Sequence, residues 1–124
     1  MLQPKSKIKV FDNSGARLVE TIKIVNKSGR SAGHLGEFAI VSIKKLRTKG
    51  NIKVKKKEIL LALIFRTKRN IKRIDGRNFK FLHNAVILLS RNKKPLGTRI
   101  FGPVVKELRK GNQFKILSLS SKFI

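Results

Sequence analysis

Apolar residues fall at every second position through much of this chain, and a period of two commits it to β-strands. Ile8 and Val10 alternate with lysines, Val19 to Val25 resumes the rhythm after a turn, and Glu37 to Lys44 repeats it. Ile59 to Phe65 differs, because every residue in it is apolar and charge bounds it on both sides. So short a run suits a strand covered on both faces, although periodicity alone does not separate it from a short buried helix. Ala85 to Leu89 is a fifth such stretch. Five short strands parted by Gly, Asn and Ser predict an all-β dominated fold, a small closed or nearly closed five-stranded β-barrel.

Two segments fall outside that barrel. Asp75-Gly76 carries the signature of a two-residue hairpin turn, whose central positions need positive φ. Basic arms flank it, Lys68 to Ile74 before and Arg77 to Phe81 after. A two-residue turn would set Lys72, Ile74, Arg77, Phe79 and Phe81 on one face and Ile71, Arg73, Asn78 and Lys80 on the other. A β-ribbon this basic projects from the barrel instead of filling it. Nearer the end, Pro103 suits the first turn of a helix, Val104, Val105 and Leu108 share one face, and Gly111 stands where a C′ glycine belongs. The expectation is a short C-terminal helical region of about two turns, packed on the barrel because it is too short to stand alone. With 124 residues and no linker-like stretch, residues 1–124 read as one domain.

Charge narrows the function. Lys and Arg number 31 against 6 acids, a formal net charge of +25. Self-repulsion of that size calls for a polyanionic partner, with nucleic acid ahead of an anionic membrane. The membrane is set aside, because no amphipathic basic helix is visible and the apolar run falls far short of the roughly 18–20 residues that span a bilayer. The chain has no cysteine, which removes disulfides, thiol nucleophiles and thiolate metal sites. His34 and His83 lack the spacing of zinc ligands, so neither a metal nor another cofactor is expected. Gly29-Arg30-Ser31-Ala32-Gly33 formally fits a nucleophile elbow, but that motif needs a strand before it, a helix after it and a large α/β sheet around it. The acids are few and scattered, with no evident pair for acid–base or Mg²⁺ chemistry. The chain therefore reads as no enzyme and takes no small-molecule substrate.

Lys53-Val54-Lys55-Lys56-Lys57 and the hairpin's cations have almost no acid beside them, which suits phosphate contacts and counterion release. Without a recognition helix, RNA read by shape and backbone is favoured over DNA. Phe79 and Phe81 could stack on unpaired bases, but the plainer role is packing of the ribbon on the barrel. In Asp12-Asn13-Ser14-Gly15-Ala16-Arg17, short polar side chains can close an Asx-type turn with Arg17 at its exit. In Pro95 to Pro103, two prolines and two glycines fix a bend that presents Thr98 and Arg99.

At these residues the chain resembles a known family from end to end, the universal large-subunit ribosomal protein usually numbered fourteen, in its bacterial form. Met1-Leu2-Gln3, Asp12 to Arg17, Val41 to Lys44, Arg66-Thr67-Lys68, Asp75-Gly76, Asn84-Ala85-Val86, Gly97 to Val104 and Glu107-Leu108-Arg109 follow the family's order. The resemblance implies the same barrel, ribbon and helical C-terminal region. It also implies a structural constituent of the large ribosomal subunit that binds large-subunit rRNA and neighbouring ribosomal proteins. One face of the family helps bridge to small-subunit rRNA and receives a ribosome-silencing factor, and Thr98 and Arg99 match positions on that face. The expected rRNA contacts here are Asn13, Arg17, Arg30, Lys68, Lys72, Arg73 and Arg77. The sequence departs from the family at Lys56-Lys57-Glu58, where relatives often have Lys-Gly-Asp, at Ile74, where they have proline, at Gln113, and in the ending Ser120 to Ile124.

Abundant Phe, Ile, Lys and Asn with scarce Ala fit a gene rich in A and T. The start has neither a secretory h-region nor an Arg/Ser-rich transit stretch. A bacterial-type protein of that composition is expected to be organelle-encoded and to work on the mitochondrial ribosome, with the cytoplasm of an A+T-rich bacterium as the rival. The functional alternative is a free-standing, non-specific RNA-binding chaperone.

Overall fold

A computed structural model describes residues 2–27, 32–111 and 114–123. The chain runs β1 (Lys7–Val10), β2 (Ala16–Ile24), β3 (Phe38–Leu46), β4 (Ile59–Arg66), β5 (Ile71–Lys72), β6 (Asn78–Phe79), β7 (Ala85–Leu89) and β8 (Ile100–Val104). A 3-10 helix over Lys106–Gly111, helix α1 (Phe114–Leu119) and strand β9 (Ser120–Phe123) complete it. The five strands read from the alternation close a barrel in the order β1-β2-β3-β4-β7. Four of its seams are antiparallel and the last is parallel, Lys9 lying opposite Ala85 and Val10 opposite Val86.

The apolar run is a strand covered on both faces. Ala62 and Ile64 of β4 point into the barrel with Val86 and Leu88 of β7, beside Ile8, Val19, Val41 and Ile43. The alternate residues Leu63, Phe65, Ala85, Ile87 and Leu89 point outward into a second core formed with Ile100, Val104, Val105, Leu108, Ile116 and Leu117. The C-terminal region thus roofs β4 and β7, while β1, β2 and β3 keep one outward face, on which Lys7, Lys9 and Lys44 stand among Glu20, Ile22 and Ser42.

Three expectations need correction. Pro103 does not open a helix; it sits in β8, where it pairs opposite Lys122 of β9, the two strands running parallel. Its fixed φ is compatible with an extended strand as well as a helical turn. The helical region starts instead at Lys106 as a 3-10 turn with Gly111 inside it, and α1 and β9 follow where no element was foreseen. The hairpin register is also shifted by one. Ile71 pairs with Phe79 and Lys72 with Asn78, so Ile74-Asp75-Gly76 is a three-residue loop with Gly76 at φ 87°. That slip moves Phe79 onto the face of Ile71 and Arg73 and away from Lys72. Phe79 and Phe81 pack against the outer core with ring centroids 5.9 Å apart, edge to face. Among the described residues no helix is long and apolar enough to cross a membrane.

Candidate nucleic-acid interface

Antiparallel topology sorts the predicted contacts into two groups. The β1–β2 turn, the β3–β4 connection and the stretch after β7 leave the same ends of their strands, which brings Asn13, Arg17, Thr98 and Arg99 together. The β4–β7 connection leaves the opposite ends and carries Lys68, Lys72, Arg73 and Arg77. Arg30 and Ser31 lie outside the described residues.

At the first end three loops are laced together. The Asp12 carboxylate is fully buried; one oxygen accepts the Ser14 amide at 3.1 Å and the Ser14 hydroxyl at 2.5 Å, and the other accepts the Leu88 amide at 3.1 Å. Burial raises its pKa against those hydrogen bonds and the nearby charge of Arg47. This is the expected Asx-type turn, extended into the barrel. Next to it Asn13 uses its whole amide on the loop across from it. Its Nδ2 donates to Thr98 Oγ1 at 2.8 Å, and its Oδ1 accepts the Thr98 amide at 2.7 Å and the Arg99 amide at 3.1 Å. Gly97 permits this approach, because a Cβ there would stand 2.6 Å from Asn13 Oδ1. The β3–β4 loop docks on the same turn through Arg47 N–H to Gly15 O at 2.7 Å and Lys53 N–H to Ser14 O at 2.8 Å.

The result is a concentration of cations that sequence spacing did not reveal. Leu18 of β2 lies opposite Lys9 of β1 and Lys45 of β3, so two lysines flank one leucine on the outer face, about 10 Å apart across two strand spacings. Arg17 and Arg47 join them around a cleft of about 360 Å³. A neighbouring cleft of about 290 Å³ is bounded by Arg47, Lys49 and Lys53 with Asn13 and Thr98. Lys9, Lys45, Arg47 and Lys49 stood outside the expected contacts. Outward alternation was a signal for Lys9, whereas Lys45 reaches Leu18 through a register shift that only the folded sheet supplies. The lysine run singled out earlier is anchored at this end by Val54, which is buried in the barrel core.

At the other end, Lys68 and Lys72 are exposed. The Lys68 amide is held by Asn84 Oδ1 at 2.9 Å. Arg77 is also exposed, and it bonds Asp75 through its guanidinium at 2.6 Å and its amide at 3.1 Å. Arg73 is turned inward. Its guanidinium lies 4.5 Å from the Phe79 ring centroid and grips Glu107 at 2.7 and 3.2 Å, tying the ribbon to the 3-10 helix. Glu107 in turn holds the Arg73 pKa above its ordinary value.

Arg66 joins the two groups structurally. It is 9% exposed, lies against the rings of Phe11, Phe65 and Phe81, and donates to the carbonyls of Phe101 and Pro103. Burial lowers its pKa. Gly102, at φ 83°, leaves the room its guanidinium occupies. Among the described residues no cluster of His, Asp or Glu could hold a metal ion. The geometry is a barrel presenting a cationic end whose two clefts no carboxylate lines, and the family model described as Ribosomal protein L14p/L23e matches residues 1–124, so the chain belongs to that family of large-subunit ribosomal proteins.

Proposed function

We propose that this protein binds large-subunit rRNA by laying its cationic end on phosphates, and that the Thr98–Arg99 loop faces the small subunit. The observation that carries the reading is the pair of adjoining clefts, in which Lys9, Arg17, Lys45, Arg47, Lys49 and Lys53 converge and no carboxylate takes part in the lining. Six cations held on a barrel meet phosphates without first losing the freedom of a flexible tail, so shape adds to the counterion term. Lys68, Lys72 and Arg77 supply a second, more exposed set of contacts on the ribbon side. In this reading Asn13 and Arg73 act as positioning residues, one for the Thr98–Arg99 loop and one for the ribbon. The same loop is the surface for the bridge to small-subunit rRNA and for a silencing factor, and the outer faces of the barrel meet neighbouring ribosomal proteins. Its composition and bacterial-type sequence blocks support a mitochondrial ribosome as its site of work.

Sedimentation of a native lysate through gradients of rising salt tests this. The protein stays with the large subunit at salt that strips loosely bound basic proteins. Release to the top at modest salt, with retained affinity for short RNAs, would make it an accessory RNA chaperone instead.

A further inference from the structure

The two adjoining clefts differ in chemistry, and the difference points to what fits them. The smaller is wholly polar apart from glycine, with Arg47, Lys49 and Lys53 around it. The larger sets four cations, Lys9, Arg17, Lys45 and Arg47, around an apolar floor to which the half-buried Phe11 and Leu18 contribute. Arg47 belongs to both. Its guanidinium rests 5.1 Å from the centroid of Phe101, which orients it while leaving N–H groups for a ligand. The Phe11 ring is likewise held in place, backed by the Arg66 guanidinium at 4.8 Å.

A ligand matching both clefts has a flat apolar body joined to an anion one short linkage away. We infer that they receive one unpaired nucleotide of RNA, with its base over Phe11 and Leu18 and its phosphate between Arg47, Lys49 and Lys53. The inference rests on the RNA-binding reading above and adds to it a contact with a base. A continuous duplex keeps its bases stacked inside and delivers only phosphates, whereas a bulged or looped nucleotide can deliver both. An acidic peptide would satisfy the charges but leave the apolar floor uncovered. One ring, one leucine and four cations suffice for a base platform.

The full-length chain is titrated at 0.15 M salt, on the order of physiological ionic strength, against an RNA hairpin bearing one bulged 2-aminopurine and against the same hairpin with that residue paired. The bulged RNA is expected to bind roughly five- to 150-fold tighter, the range one stacked base provides, with its fluorescence quenched on binding. Leu18→Glu erases that preference. Should it fail to fold, Leu18→Gln carries the test, losing the preference for the bulged hairpin over the paired one. Equal affinity for both hairpins, with strong salt dependence, overturns the base site and leaves RNA binding standing. No binding of either hairpin overturns both. A preference that survives in folded Leu18 variants, or displacement of both RNAs alike by polyglutamate at low concentration, assigns the cleft to a different occupant and sinks the inference.

Discussion

Replacing Asn13 by alanine removes one donor and one doubly used acceptor between the β1–β2 turn and the Thr98–Arg99 loop. Three hydrogen bonds at a net value of about 0.5–1.5 kcal/mol each set an upper range, but these groups are solvent-accessible and water recovers part of it. The expected loss is therefore about 1–2 kcal/mol of global stability, read as a lower denaturant midpoint with an unchanged slope. The local effect is sharper. Thr98 and Arg99 amides lose their acceptor and exchange with solvent faster, while Ile43 and Ile64 amides in the barrel keep their protection. Asn13→Asp separates the bonds: a carboxylate still accepts both amides but no longer donates to Thr98 Oγ1, so it costs less than alanine and protects the two amides. Unchanged exchange at Thr98 and Arg99 in Asn13→Ala would refute the positioning role, and the residue would return to being a direct RNA contact.

Four further outcomes follow from the same geometry. Lys57 holds φ at 66° in the turn before β4, where relatives often carry glycine, so Lys57→Gly should stabilise by about 0.5–1 kcal/mol in chemical denaturation. Gly102→Ala meets both a positive φ and the Arg66 guanidinium, and should lower stability by about 2–4 kcal/mol, with a correspondingly reduced thermal midpoint. Asp12 has a raised folded pKa, so its protonated form is favoured by folding; its contribution is complete below the ordinary 3.8 and declines as pH rises through the folded value. The stability difference between wild type and Asp12→Asn should shrink over that window, and a difference that is flat with pH would contradict it. Glu107→Gln loosens the Arg73 grip, and hydrogen exchange should quicken in residues 68–84 while the barrel strands stay protected.

The barrel was legible because its signal is local: each strand alternates, or is apolar throughout, according to how many of its faces are covered. Ile59 to Phe65 was read correctly because a strand between two cores has no polar face to show. The C-terminal region was not legible for the opposite reason. Pro103 satisfies a helical first turn and an edge strand equally, and only the pairing with β9 decides between them. The ribbon's register turned on whether Ile74 belongs to a strand or to the loop, which the Asp75-Gly76 pair alone does not fix. At the candidate site, Arg17, Thr98 and Arg99 are expected from turn chemistry and from resemblance, and the fold brings them to one end of the barrel. Lys9, Lys45 and Arg47 fell outside the expected contacts because their meeting depends on the pairing of three strands and on the register shifts around Leu18. Asn13 was noticed for its turn, but its use across 85 positions of sequence was out of reach of any local pattern.

The parallel seam between β1 and β7 has a consequence for how the chain comes into being. Lys9 and Ala85 are 76 positions apart, so the barrel's closing pair is among its least local. Synthesis from the N-terminus leaves β1 with one ladder unpaired until β7 has emerged, and no earlier intermediate can hide that edge. A pairing of such range is slow to find, and a chain of charge +25 meets its own repulsion as it compacts. A polyanion at the open edge would relieve that repulsion during the search. The nascent protein would then finish folding on the surface it is destined to occupy.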